Sequence, residues 1–216
     1  MFNQVYDWMD ERLQLKATVR NILEHPVPDH VNFLHCFGGI TFTLIVVQAL
    51  TGMFLALYYV PAPEQAFASV EYISREVAFG KAIRGMHRVG ASLAVIMVVV
   101  HMVRVYFTGA YKKPREMNWL IGVTLLFVLL GFGFTGYLLP WDQKAYWATA
   151  VGTNMAGSVP VIGDFLLKVL RGGTELGSLT LTRFYAVHIW FLPAGLTGLL
   201  ALHFYMVRKQ GIAGPL

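Results

Sequence analysis

Four apolar stretches of this chain, Cys36–Pro63, Val89–Val103, Met117–Trp141 and Phe184–Val207, contain no Asp, Glu, Lys or Arg. A helix rises 1.5 Å per residue, so about 20 apolar residues cross a hydrocarbon core of ~30 Å. Three stretches are long enough alone. The second becomes long enough once Arg84, Arg88 and Arg104 are allowed to reach out of the hydrocarbon at its ends. The expected fold class is therefore an all-α membrane protein, a bundle of four transmembrane helices, A to D, over about 33–60, 79–106, 117–140 and 184–207. Composition agrees, with 56% hydrophobic and 13% charged residues against about 25% charged in soluble domains. A soluble enzyme is excluded. The net charge of +5 is not gathered on one face or arm, so no nucleic-acid partner is expected. One cysteine permits neither an internal disulfide nor a Cys-x-x-Cys pair.

An even number of spans puts both termini on one side of the membrane. Lys112, Lys113 and Arg115 crowd the B–C loop and Arg208–Lys209 follow helix D, which points to the cytoplasmic, negative side. Val5, Trp8, Met9 and Leu13 recur at helical spacing among charges, so residues 1–31 read as an interfacial segment with one helix. The C–D loop, 141–183, would lie at the outer face. Within it, Pro160, Gly163 and Gly172–Gly173 bracket an apolar segment, 161–170, suited to the membrane surface. All of 1–216 reads as one domain.

Histidines carry the chemistry. His25, His30 and His35 fall before or at the start of helix A, where solvent or headgroup contact suffices. His87 and His101 lie within helix B, and His188 and His203 within helix D. Fourteen residues advance a helix about 21 Å and return it to within ~40° of the same face; fifteen advance it about 22.5 Å and leave it ~60° away. Helices B and D run in the same direction, so His87 shares a depth with His188, and His101 with His203. Facing imidazoles at two depths suit the axial positions of two haem irons wrapped in apolar side chains. With both axial positions filled, the expected role is electron transfer rather than oxygen activation. A proton or metal path would want acidic partners, and helices B and D offer none.

Glycines repeat the interval, Gly38 and Gly52 on helix A and Gly122 and Gly136 on helix C. Either they admit flat porphyrins to the backbone or they serve ordinary close packing. Arg84 near His87 and Arg104 near His101 suit haem propionates or lipid phosphate.

Several motifs together resemble the cytochrome b family of quinol–cytochrome c reductases, in the short, split form called cytochrome b6. They are Cys36-Phe37-Gly38-Gly39, Arg84-Gly85-Met86-His87-Arg88, Lys112-Lys113-Pro114-Arg115-Glu116, Tyr137-Leu138-Leu139-Pro140-Trp141-Asp142-Gln143 and Arg208-Lys209-Gln210-Gly211 through Gly214-Pro215-Leu216. The resemblance implies an outer b haem on His87 and His188, an inner one on His101 and His203, and quinol oxidation outside coupled through both to a quinone-reducing inner site. It implies Phe134, Tyr137 and Ala148 in the quinol pocket. It also implies a haem c bound to Cys36 by one thioether, with Arg208 at its propionate, although Cys36 read alone is an inert thiol. The implied partners are a three-span subunit carrying the family's Pro-Glu-Trp-Tyr segment, which this chain lacks, a Rieske iron–sulfur protein and a c-type cytochrome, in a homodimeric complex. The chain would thus be part of an enzyme and not active alone, in a bacterial plasma membrane or alternatively a thylakoid. A di-haem anchor for another dehydrogenase, or a histidine-lined transporter, are the other classes the residues allow.

Overall fold

The computed structural model describes residues 2–24 and 28–213, so His25 and the terminal Gly214-Pro215-Leu216 lie outside the described residues. The chain divides at Asn32 into two units. The first holds two helices where one was expected, α1 (Phe2–Leu13) and α2 (Leu15–Leu23), broken at Gln14, whose φ of 49° is left-handed. Lys16 locks that corner, its backbone N–H donating to the Asp10 carboxylate at 2.6 Å and its ammonium to Asp7 at 3.0 Å. Trp8 stays 58% exposed with Arg12 lying over its ring at 4.4 Å.

In the second unit, a 3₁₀ turn at Phe33–Cys36 leads into α3 (Phe37–Ala56), followed by α4 (Ala66–Arg75), α5 (Gly80–Phe107) and α6 (Glu116–Leu138). Then come α7 (Gln143–Gly157), α8 (Gly163–Arg171), α9 (Ser178–Ala186), a wider π turn at Val187–Phe191, and α10 (Leu192–Gln210). Among the described residues, four helices are long and apolar enough to cross a membrane: Phe33–Ala56, Gly80–Phe107, Glu116–Leu138 and Ser178–Gln210. They are the four expected spans, with shifted ends. The first stops at Ala56 as the chain turns toward Pro61 and Pro63, which cannot extend a helix. The fourth starts early because α9 runs into it.

Proline also explains the π turn. Pro193 has no N–H to offer the Ile189 carbonyl, and the chain passes it by a wider turn in which the Leu192 N–H donates to the Val187 carbonyl. One extra residue is thereby absorbed just past His188. The fifteen-residue spacing on this helix then behaves like the fourteen-residue spacing on α5, and the ~60° mismatch expected for a regular helix shrinks.

Helix α3 packs on α5 and α6 on α10, while α5 and α6 touch at the centre. The apolar contacts are Ala94, Val98 and Leu129 between α5 and α6, and Ile121, Leu125 and Leu196 between α6 and α10. Helices α5 and α10 do not pack on each other in this way. A gap is left between them.

The loop expected at 141–183 is mostly helical. Asp142 caps α7 by accepting the Ala145 N–H at 2.8 Å. Ala145, Thr149 and Thr153 form its buried stripe, while Trp147, Val151 and Met155 face outward. At the same end, Ala66, Leu138, Leu181 and Phe184 make a small core. Beside it the Tyr59 hydroxyl donates to the Leu139 carbonyl at 2.7 Å, and burial pushes the phenol pKa up.

Candidate functional site

The four histidines face each other in two pairs across the gap between α5 and the π turn with α10 that follows it. His87 and His188 oppose each other with ring centroids 6.5 Å apart. A metal–imidazole bond is about 2 Å; two of them, with about 1 Å from each ring centre to its nitrogen, span roughly 6 Å. The pair thus fits an iron between its rings.

Each of these rings is aimed by a threonine on the helix packed behind it. Thr51 Oγ1 lies 2.9 Å from His87 Nδ1 and Thr135 Oγ1 lies 3.0 Å from His188 Nδ1. Each hydroxyl donates its own hydrogen one turn back, Thr51 to the Val47 carbonyl at 2.6 Å and Thr135 to the Gly131 carbonyl at 2.8 Å. The threonine oxygens are therefore left as acceptors, and the imidazoles must donate from Nδ1. That choice leaves both Nε2 lone pairs bare for a metal.

The glycines stand behind the imidazoles. A Cβ at Gly52 would lie 3.2 Å from His87 Cε1, one at Gly136 2.7 Å from His188 Cε1, and one at Gly38 3.1 Å from His101 Cε1; only at Gly122 does the distance, 3.6 Å from His203 Cε1, reach ordinary contact. In this structure the absent side chains make room for histidine rings, which ties the shared fourteen-residue interval of the two residue types to one cause.

His101 and His203 line a cavity of about 280 Å³ with Gly38, Arg104, Asn118 and Trp119 among its walls. The Nε and Nη2 atoms of Arg104 are buried there without a hydrogen-bond partner, as is His203 Nδ1. The Asn118 backbone carbonyl faces the His203 ring, outside hydrogen-bond geometry. Unspent guanidinium donors in an apolar cavity suit a carboxylate such as a haem propionate. At the other end of α5, Arg84 is partly engaged, its Nη1 donating to Ser74 Oγ at 3.0 Å. Arg208 stands in the last turn of α10.

Sequence reasoning missed Thr51 and Thr135, and it set aside His35, which also lines the cavity. A threonine four residues after a helical carbonyl is too common to signal a role by itself. Of the expected quinol-pocket residues, Phe134 on α6 lies against Gly152 of α7 and its ring is 5.5 Å from that of Phe184. Tyr137 and Ala148 are exposed at the same end.

The expected covalent haem c at Cys36 is corrected. The chain has a single cysteine and no Cys-x-x-Cys-His attachment segment. Cys36 is exposed and does not line the cavity. Among the described residues no group of three or more His, Cys, Asp or Glu side chains could hold a further metal ion. Two non-covalent b-type haems are the cofactor set consistent with this chain, since a porphyrin supplies four ligands and asks only a pair of the protein.

Comparison with known proteins gives a consistent picture. A family model described as cytochrome b/b6/petB matches residues 22–211. The chain is 54% identical to the menaquinol:cytochrome c reductase cytochrome b subunit of Bacillus subtilis, over all of both chains. It is 48% identical to cytochrome b6 of Synechococcus elongatus, over 99% of this chain and 100% of that one. Among solved structures, a chain of a hyperthermophilic respiratory Complex III superposes with a TM-score of 0.90 at 34% identity, covering 97% of this chain and 56% of the longer one.

Proposed function

Because the chain belongs to the cytochrome b/b6 family, we propose that its two histidine pairs are the electron path across the membrane in a quinol-oxidising complex. The chain is the cytochrome b subunit of a quinol–cytochrome c or plastocyanin reductase, an electron-transfer subunit of an oxidoreductase and a multi-pass membrane protein of a bacterial or thylakoid membrane. The observation that carries the path is the opposition of His87 and His188 across the α5–α10 gap, with His101 and His203 on one cavity deeper along the same two helices.

His87 and His188 hold the outer haem and His101 and His203 the inner one. A bound haem supplies a reversible one-electron relay at each pair. Thr51 and Thr135 keep the outer imidazoles in the tautomer that binds metal, and Gly38, Gly52 and Gly136 let the rings lie close to the backbone. Arg104 offers its unspent donors to an inner propionate; Arg84, steadied by Ser74, and Arg208 serve at the span ends. Both termini lie on the negative side, with 1–31 along the interface.

Quinol is oxidised at the outer face beside Phe134, Tyr137 and Ala148, one electron leaving through a Rieske iron–sulfur protein toward a c-type cytochrome and the other crossing this chain to reduce quinone inside. Proton release outside and uptake inside follow from the two locations. The carboxylate of the Pro-Glu-Trp-Tyr segment comes from a three-span partner in a dimeric complex. The 54% identity to the menaquinol:cytochrome c reductase cytochrome b subunit of Bacillus subtilis supports menaquinol as the substrate. The purified complex should reduce a c-type cytochrome from a menaquinol analogue; a complex that binds two haems per chain but passes no electron to that cytochrome would make this chain the anchor of a different dehydrogenase.

A further inference from the structure

Arg171 ends α8 and is only 8% exposed, deep among α7, α8 and α9. Its Nε donates to Thr153 Oγ1 at 2.8 Å and its Nη2 to Asn154 Oδ1 at 2.8 Å and to the Ala150 carbonyl at 3.1 Å. Its Nη1 donates to the Thr174 carbonyl at 2.9 Å, and its own carbonyl accepts from Thr180 Oγ1 at 2.7 Å. All these partners are neutral. Burying a guanidinium without a carboxylate is costly, so what the arrangement gains is geometry: a planar fork whose donors have fixed directions.

Three of the four side-chain bonds fall on one turn of α7, at residues 150, 153 and 154. The same turn carries Gly152, where a Cβ would meet the Phe134 ring at 2.7 Å. A rotation or slide of α7 would therefore be felt at Phe134, and Arg171 ties that turn of α7 to the end of α8 and to Thr174. We propose that Arg171 is a positioning residue for quinol oxidation: by tying α7 to α8 and α9 it holds α7 in one register and so sets the width of the space bounded by Phe134, Tyr137 and Ala148. The proposal rests on the outer-face reading of the quinol site given above.

The test uses the assembled complex with Arg171→Lys, which keeps the charge but loses the fork. The quinol KM should rise about tenfold with kcat changed less than about twofold. Both haems should be retained, and reduction of the inner haem from the inner quinone site should be unaltered. Asn154→Ala, which removes one bond from the exposed side, should raise KM about two- to threefold. It decides the matter alone if the lysine variant does not assemble. An unchanged KM in the variants that assemble overturns the proposal. Phe134→Ala measured alongside separates the two layers: if it leaves the quinol KM unmoved, the outer-site reading fails and the proposal with it. If it moves KM while the Arg171 and Asn154 variants do not, the clamp alone fails.

Discussion

The two histidine pairs sit on the same two helices at nearly the same spacing, yet the chain treats them differently. At the outer pair, both Nδ1 atoms meet threonine hydroxyls whose hydrogens are already committed to the backbone. At the inner pair, His203 Nδ1 has no such partner, and Gly122 leaves the ring more slack than Gly136 leaves His188. Orientation at the outer pair is thus built into α3 and α6. At the inner pair more is left to the cavity and to Arg104, whose donors face it unspent. The same ligand pair can be fixed from behind by hydrogen bonds or from around by a fitted pocket, and only the first leaves its tautomer written in the neighbouring helix.

Substitutions test that contrast, the largest effect coming from the ligands. His188→Leu should remove one of two haems per chain and leave the inner haem's optical band in place; a spectrum showing both haems intact would remove His188 from the site. Gly136→Val should come next, because even the first added carbon would crowd the His188 ring, and haem occupancy at the outer pair should fall below half while the inner pair stays filled. Thr135→Val removes the acceptor but little volume, and should weaken outer-haem retention about ten- to a hundredfold in a dissociation assay. Equal weakening at both pairs would mean that the threonine acts on the bundle at large. Gly122→Ala is expected to change neither haem, since its new carbon would sit at van der Waals distance from His203. Loss of the inner haem there would show that the inner pair is held as tightly as the outer.

The spans were legible because charge-free runs long enough to cross a bilayer have few other uses, and the pairing was legible because direction and spacing place His87 with His188 and His101 with His203. What escaped was local. The π turn was signalled only by Pro193, which reads as readily as a kink. Helix α7 escaped because its buried stripe is Ala145, Thr149 and Thr153 while Trp147, Val151 and Met155 point out, the reverse of an ordinary amphipathic pattern. Helix α4 is too short for periodicity to speak. Thr51 and Thr135 became visible only once a nitrogen stood 3 Å away. The covalent haem at Cys36 came from resemblance alone, and the exposure of that thiol and the single cysteine of the chain withdraw it.

The most direct test of the account is haem per chain, with low-temperature spectra, in the complex carrying His203→Leu beside the unaltered complex. Two acid–acetone-extractable haems are expected in the unaltered complex and one in the variant, with the band of the outer haem unshifted. Loss of both haems, or of neither, would contradict the assignment of one haem to each matched pair.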